Sequence, residues 1–121
     1  MSQHILVVDD NEMIRYLLER SLKAAGHRVR SAANGVEALA LCETTRFDVL
    51  LTDLNMPKMK GDALIAQARA LQPGLRCILL SADLMAPPSV ADDIVFLTKP
   101  LSRKEMADLV ARAGGKGATP A

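Results

Sequence analysis

The chain has 121 residues, 50% hydrophobic and 24% charged, and its 15 basic and 14 acidic side chains give a formal net charge of +1. A chain of this length forms one hydrophobic core, and the composition excludes wholesale disorder. Near-neutrality and three aromatic residues in total argue against direct nucleic-acid binding, which uses basic side chains for phosphates and aromatic ones for bases.

The amino-terminal segment has neither the basic region of a secretion signal nor the length of a membrane span, since its first apolar run is only Ile5–Val8. Cys42 and Cys77 lack metal or redox spacing, which predicts small buried thiols in a reducing compartment. His4 and His27 have no second ligand nearby and are interpreted as structural. We therefore expect a cytoplasmic protein without membrane insertion.

The first half of the chain alternates apolar runs with helical periodicity. Ile5–Val8 is typical of a buried parallel strand. A helix follows and ends at a glycine, and a weaker strand is predicted over His27–Ser31. Asn34 and Glu37 then have the spacing of a capping box ahead of a second helix. The residues that repeat at helical spacing in the first helix are Met13, Ile14, Leu17, Leu18, Ser21, Leu22 and Ala25.

The second half continues this alternation. Phe47–Thr52 is a second strong apolar run, and a helix from about Asp62 to Leu71 ends before Pro73, which cannot continue it. Two shorter runs predict strands over Arg76–Leu80 and Ile94–Leu97. Strand and helix thus alternate along the chain, which predicts an α/β protein with a parallel sheet covered on both faces, most simply a doubly wound one.

The last helix opens with a capping box, Ser102 to Glu105. Its apolar face comprises Met106, Leu109, Val110 and Ala113. Residues 114–121 are rich in glycine and predict a flexible tail, so the folded domain is expected to span residues 1–113.

Polar side chains collect at the carboxyl ends of the predicted strands, where ligands bind in sheets of this kind. Asp9 and Asp10 follow the first strand, Asp53 the third, Ser81 the fourth and Lys99 the fifth. Three carboxylates, a hydroxyl and an ammonium group therefore converge on one edge of the predicted sheet.

Some of these residues also have an ordinary structural interpretation. Asp9 and Asp10 can belong to the first turn of the next helix, whose dipole favours negative charge, and Ser81 can be a turn hydroxyl. Asp53 is harder to explain in this way, because clustered carboxylates repel and either hold a proton or bind a cation such as Mg²⁺. Together the five residues fit a site for a phosphoryl group.

Longer motifs surround these five residues and occur in a fixed order along the chain. They are Asp9-Asp10, Asp53-Leu54-Asn55-Met56-Pro57 with Gly61, Ser81-Ala82 and Lys99-Pro100. With this ordered set the chain resembles the response-regulator receiver domain of two-component signalling, from about His4 to Ala113. The resemblance implies a (βα)5 flavodoxin-like fold, whose five-stranded parallel sheet has the order 2-1-3-4-5.

The resemblance implies that Asp53 accepts a phosphoryl group from a histidine kinase or phosphotransfer protein, as an acyl phosphate. Asp10, Asp53 and the main-chain carbonyl of Asn55 would hold Mg²⁺ or Mn²⁺ directly, and Asp9 would act through water. Asn55 and Asp83 fall at positions that tune dephosphorylation in the family.

The resemblance also implies a switch that signals to a downstream output protein or domain, and not a turnover enzyme. Lys99 would pair with the phosphoryl group, and the Lys99–Pro100 peptide bond would be cis. Ser81 would move to donate a hydrogen bond to it, and Phe96 would turn inward. These contacts exist in only one of two loop arrangements, so phosphorylation would shift the equilibrium between them.

The chain departs from the family pattern in two places. Only 17 residues separate Ser81 from Lys99, and they include Pro87-Pro88. The helix between the fourth and fifth strands is therefore predicted to be short or absent, a feature similar to receivers attached to hybrid sensor kinases. Leu101 also replaces an aromatic residue that is frequent after Lys-Pro.

Three alternatives fit less well. A haloacid-dehalogenase-like Mg²⁺ phosphohydrolase has a DxD motif after the first strand and an acidic pair after the lysine, whereas here Asp92-Asp93 precede Lys99. A flavodoxin-like electron carrier needs a Ser/Thr/Gly-rich phosphate loop after the first strand, whereas residues 9–12 at that place would repel the phosphate. A phosphorylation-independent pseudo-receiver would not need all of these side chains.

Overall fold

The computed structural model of the chain describes residues 2–82, 93–98 and 102–113. The strands are β1 (His4–Val8), β2 (Arg28–Ala32), β3 (Val49–Asp53), β4 (Arg76–Ser81) and β5 (Val95–Thr98), and the helices are α1 (Glu12–Ala24), α2 (Gly35–Thr44), α3 (Gly61–Leu71) and α4 (Arg103–Ala113). The strands pair in parallel in the order β2-β1-β3-β4-β5. The predicted α/β fold with sheet order 2-1-3-4-5 is confirmed.

The predicted short or missing helix between β4 and β5 falls on residues 83–92, which lie outside the described residues. Asp83, Lys99, Pro100, Leu101 and the tail 114–121 lie outside them as well. No helix within the described ranges combines the length and the apolar character that crossing a membrane requires.

The sheet has a core on each of its faces, because successive residues of a strand point to opposite sides. In β1, Leu6 and Val8 point to the face covered by α2 and α3, and Ile5 and Val7 point to the face covered by α1 and α4. We call these the α2–α3 core and the α1–α4 core. Burial on both faces explains why the sequence of β1 is a continuous apolar run.

Helix α1 packs on the sheet through a narrower stripe than its sequence predicts. Leu18 and Leu22 are buried in the α1–α4 core, whereas Met13 is 65% and Leu17 46% exposed. An α-helix turns about 100° per residue, so Leu17 lies about 100° and Met13 about 140° around the axis from Leu18. Met13 and Leu17 therefore share the helical spacing of the apolar residues but lie outside the stripe that meets the sheet.

The predicted end of α1 at Gly26 and the predicted cap of α2 at Asn34 are confirmed, whereas the cap of α1, Asn11, was not predicted. The Asn11 Oδ1 atom accepts the N–H of Ile14 at 3.0 Å and caps α1. Gly26 follows α1 with a φ of 94°, a conformation that favours glycine. The Asn34 Oδ1 atom caps α2 by accepting the N–H of Glu37 at 2.9 Å.

Helix α3 starts in close contact with the end of β3. A Cβ atom at Gly61 would overlap the carbonyl oxygen of Asp53 and lie 2.9 Å from the Cα of Leu54. The Gly61 N–H donates to the carbonyl of Leu54 at 2.8 Å. The lack of a side chain at Gly61 therefore lets α3 begin directly against the residue that ends β3.

We expect Gly61→Ala to lower the free energy of unfolding by about 1–3 kcal/mol, because the new methyl group overlaps main-chain atoms that cannot move aside. This cost exceeds the gain of about 1 kcal/mol that alanine brings to a helix interior. Urea unfolding measures the change. Gly74→Ala is the control, since a Cβ there meets nothing within 4 Å. Equal stabilities of the two variants would contradict the close contact at Gly61.

His27 connects the start of β2 to the start of β1. Its Nδ1 atom accepts the N–H of Gln3 at 3.0 Å, so this nitrogen carries no proton in the folded chain. Burial lowers the pKa of His27 below its usual value of 6.5, with a smaller effect from positive charges that include Arg76. The unfolded chain therefore binds a proton at His27 more readily than the folded one.

This pKa shift predicts that His27 contributes stability above about pH 6.5 and that the contribution is lost as the pH falls through the lower pKa of the folded state. Because the asparagine oxygen can accept the same N–H without titrating, His27→Asn should remove this part of the pH dependence. Unfolding free energies of both proteins between about pH 5 and pH 8 check it. A difference that is constant over this range would rule the effect out.

Candidate functional site

The carboxylates that follow β1 and end β3 lie next to each other at the carboxyl edge of the sheet. The register pairs Val8 with Thr52, so that Asp9 and Asp53 are the next residues on neighbouring strands. One carboxylate oxygen from each of Asp9, Asp10 and Asp53 lies within 4.8 Å of the other two. We call these three residues the acidic cluster. The structure thus brings together the three carboxylates predicted from the sequence.

The three carboxylates differ in their contact with solvent. Asp9 is 0% and Asp53 7% exposed, whereas Asp10 is exposed. Among the described residues, no hydrogen bond or ion pair holds the Asp10 side chain. The cluster is therefore a partly buried anionic site with one side open to water.

Asp9 is held in the turn between β1 and α1. Its Oδ1 atom accepts the N–H of Asn11 at 2.9 Å, and its carbonyl accepts a hydrogen bond from Nη1 of Arg15 at 2.7 Å. Asn11, and neither aspartate, is the N-cap of α1. The capping interpretation therefore does not account for Asp9 and Asp10.

The backbone around Asp53 is also held by specific hydrogen bonds. The Thr52 hydroxyl donates to the carbonyl of Asp53 at 2.9 Å. The N–H of Leu54 donates to the carbonyl of Leu80 on β4 at 2.7 Å. Asn55 is exposed in the loop that follows. In the same loop Lys58 has a φ of 73°, a left-handed conformation that costs a non-glycine residue about 1–2 kcal/mol.

Ser81 and Phe96 lie on the two strands beyond β3. Ser81 is fully buried at the end of β4, one residue after the residue that pairs with Asp53. Phe96 on β5 is half-buried and packs against the α2–α3 core. Lys99, the fifth member of the predicted site, lies outside the part of the chain that the structure describes.

The donor atoms of the acidic cluster match the chemistry of a small hard cation. Carboxylate oxygens are the ligands that Mg²⁺ prefers, and it usually keeps several waters when only one or two carboxylates bind it. The exposed Asp10 leaves a path from solvent for a hydrated ion. The residues present thus fit Mg²⁺.

Two residues that contact the acidic strand ends were not found from the sequence. Arg15 occupies a polar position of α1, and Thr52 lies inside an apolar run. Each donates a hydrogen bond to the main-chain carbonyl of an aspartate. Thr52 gives the one available sequence signal, because its hydroxyl stands in a strand that is otherwise apolar and therefore needs a hydrogen-bond partner.

The other residues singled out from the sequence are structural. Cys42 and Cys77 are buried free thiols, as predicted. Burial raises the pKa of Cys77 to about 11 and also raises that of Cys42, which leaves both protonated at neutral pH. His4 lies with its ring 4.7 Å from that of Phe47.

A cavity of about 250 Å³ lies at the opposite, amino-terminal edge of the sheet. Its lining includes Arg46, Asp48 and Arg76, and none of the residues of the acidic cluster. This cavity is therefore separate from the site predicted at the carboxyl edge.

Comparison with known proteins identifies relatives over most of the chain. A response regulator receiver protein of Anaeromyxobacter sp. (strain Fw109-5) is 38% identical over 86% of this chain and 45% of its own length. The transcriptional regulator NtrC of Salmonella typhimurium is 41% identical over 90% of this chain and 24% of its own length. The sensor kinase CckA of Brucella abortus is 35% identical over 90% of this chain and 12% of its own length. The chain thus spans less than half the length of these relatives.

Solved structures of similar proteins share the fold. The receiver domain of the hybrid histidine kinase CckA is 30% identical, with a TM-score of 0.77 over 91% of this chain and 97% of that one. The response regulator TrrA of Thermotoga maritima, solved with Mg²⁺-BeF, is 30% identical, with a TM-score of 0.80 over 92% and 98%. The chemotaxis protein CheY4 of Vibrio cholerae is 28% identical, with a TM-score of 0.82 over 93% and 99%.

The family model of the response regulator receiver domain matches residues 5–111. Receiver domains are signalling domains, generally not turnover enzymes, that interact with histidine kinases and output domains. The match covers nearly all of the chain, and the sheet order and the acidic cluster agree with it. The chain therefore belongs to the response regulator receiver domains.

Proposed function

We propose that this receiver is a phospho-acceptor switch, in which Asp53 takes a phosphoryl group from a phosphohistidine of a kinase or phosphotransfer protein. The observation that carries the proposal is the acidic cluster, where a nearly buried Asp53 has carboxylate oxygens of two other aspartates within 4.8 Å. An isolated acceptor carboxylate would not need this costly arrangement, because like charges repel.

In the proposed site, Asp10, Asp53 and the main-chain carbonyl of Asn55 would hold Mg²⁺ directly, and Asp9 would act through water. Mg²⁺ bound there would cancel the charge that otherwise keeps a carboxylate and an anionic phosphoryl donor apart. Asp9 is fully buried and bonded to the N–H of Asn11, which suits a residue that orients water. Asp10 is exposed, which suits a residue that meets the hydrated ion first.

The transfer itself is a displacement at phosphorus. A carboxylate oxygen of Asp53 forms the new P–O bond while the P–N bond of the donor phosphohistidine breaks. The electron pair of the broken bond returns to the imidazole nitrogen. A phosphohistidine that is protonated on its other nitrogen leaves as a neutral imidazole, and an unprotonated one takes up a proton as it leaves. The product on this chain is an acyl phosphate at Asp53, and water later hydrolyses it at a rate tuned by Asn55 and Asp83.

The acyl phosphate then biases a conformational equilibrium. Its oxygens accept a hydrogen bond from the hydroxyl of Ser81 and form an ion pair with the ammonium group of Lys99. Phe96 turns inward as Ser81 moves. Ser81 ends the strand beside β3, which supports its role as a donor to a group on Asp53. Phe96 is only half-buried against the α2–α3 core, so an inward turn would bury more of its ring. These added contacts exist in only one arrangement of the chain, so phosphorylation favours that arrangement. A partner protein or output domain then binds it.

The first experiment is phosphorylation by a small donor. Incubation with Mg²⁺ and acetyl phosphate should add one labile phosphoryl group to the chain, detected by intact-protein mass spectrometry. Asp53→Asn or removal of Mg²⁺ should abolish the adduct. Asp48→Asn is the matched control, because Asp48 is an exposed aspartate near the opposite end of β3 and should leave the adduct unchanged.

The same experiment separates the alternatives. No adduct with any donor would contradict the proposal and indicate a phosphorylation-independent pseudo-receiver. Repeated turnover of phosphomonoesters would indicate a phosphohydrolase instead. An adduct that persists in Asp53→Asn would move the acceptor to another residue.

A second prediction concerns Lys99. Lys99→Ala should still accept the phosphoryl group, because the nucleophile is retained, but should lose the conformational response because the ion pair is missing. The measurement is the change in the NMR signals of Phe96 on phosphorylation. Lys104→Ala, at an exposed position of α4, should respond as the unmodified chain does. An unchanged response in Lys99→Ala would disprove the assigned role.

A further inference from the structure

Thr52 is a fully buried hydroxyl-bearing residue next to the phospho-acceptor of the proposed function. Its Oγ1 atom donates to the main-chain carbonyl of Asp53 at 2.9 Å and lies 4.0 Å from the sulfur of Met56. It pairs in register with Val8 and Leu79, both members of the α2–α3 core. The hydroxyl therefore interrupts an apolar environment, where a valine of the same shape would pack equally well.

The hydrogen bond of Thr52 fixes one end of the peptide group that follows Asp53. The other end is fixed by the N–H of Leu54, which donates to the carbonyl of Leu80 at 2.7 Å. The start of α3 packs against the same Asp53 carbonyl, since any Cβ at Gly61 would overlap it. Three separate elements, β3, β4 and α3, thus define the orientation of a single peptide group.

This rigidity matters because of the charges beside it. The carboxylates of the acidic cluster repel one another, so a backbone free to rotate at Asp53 would let its side chain turn away from the other two. Groups that orient metal ligands without touching the metal typically change metal affinity by about 10–100-fold. A hydroxyl that locks the peptide of a ligand residue is such a group.

We propose that Thr52 is a positioning residue, which locks the Asp53–Leu54 peptide and thereby strengthens Mg²⁺ binding by the acidic cluster. The inference rests on the proposed function, in that Mg²⁺ is the ligand of this cluster. It adds a residue outside the set of ligands and phosphoryl contacts. Thr52 acts through Asp53 and touches neither the ion nor the phosphoryl group.

The test compares two substitutions with the unmodified chain. Thr52→Val keeps the shape and removes the hydroxyl, and Thr52→Ser keeps the hydroxyl. Mg²⁺ titrations followed by NMR give the dissociation constant and report folding in the same spectra. We expect Thr52→Val to bind Mg²⁺ about tenfold more weakly and Thr52→Ser to stay within about twofold of the unmodified chain.

Thr44→Val is the matched control, because the Thr44 hydroxyl also donates to a main-chain carbonyl, that of Leu41, but at an exposed position of α2. It should leave Mg²⁺ affinity unchanged. The rate of Asp53 phosphorylation by acetyl phosphate at subsaturating Mg²⁺ should fall in Thr52→Val and recover at saturating Mg²⁺. A rate that recovers in this way supports an effect on ion binding.

The outcomes are distinct. If Thr52→Val has a lower melting temperature but an unchanged Mg²⁺ dissociation constant, the hydroxyl is merely structural and the inference is wrong. If Thr52→Val does not fold, Thr52→Ala and Thr52→Ser are compared in its place, and equal affinities overturn the inference. If the unmodified chain binds no Mg²⁺ and takes no phosphoryl group, the proposed function itself fails, whatever the variants do.

Discussion

Carboxylate oxygens of Asp9, Asp10 and Asp53 lie within 4.8 Å of one another, so each side chain is pushed away by the other two. The most rigid part of the parallel sheet resists this repulsion. β1 and β3 are central strands buried on both faces, and their ends are fixed by the register of the sheet before any side chain is placed. Strand pairing therefore brings the acidic cluster together, and the burial of the two cores supplies the stabilising free energy that offsets the repulsion.

The same constraint explains the local features around the cluster. Asn11 caps α1 and donates its own N–H to Asp9, which turns the chain away from β1 without using an aspartate as the cap. Arg15 and Thr52 hold the carbonyls of Asp9 and Asp53. Gly61 brings α3 against the end of β3. Each contact limits the backbone freedom through which the carboxylates would otherwise separate.

How much of this the sequence predicts depends on which interaction sets each feature. β1 and β3 are predictable because burial on both faces leaves a continuous apolar run, and Asp9 and Asp53 follow from them as the next or last residue. The exposure of Met13 and Leu17 is not, because helical spacing alone does not say which of two adjacent stripes meets the sheet. The role of Thr52 is not predictable either, because hydrogen bonds to main-chain carbonyls leave no pattern of residue types in the sequence.

The amino-terminal edge of the sheet is held together in a different way. Gln72, which directly follows α3, donates to two carbonyls at the end of α2 and accepts the N–H of Phe47, two residues before β3. Arg76, which begins β4, donates to the last two carbonyls of α4. These bonds satisfy carbonyls that helix ends leave without partners, and they join separate elements far from the carboxylates. The carboxyl edge instead contains features that cost stability, namely like charges and the left-handed backbone of Lys58. The like charges are thus confined to one edge of the sheet, and the bonds at the other edge join the elements at a distance from that repulsion.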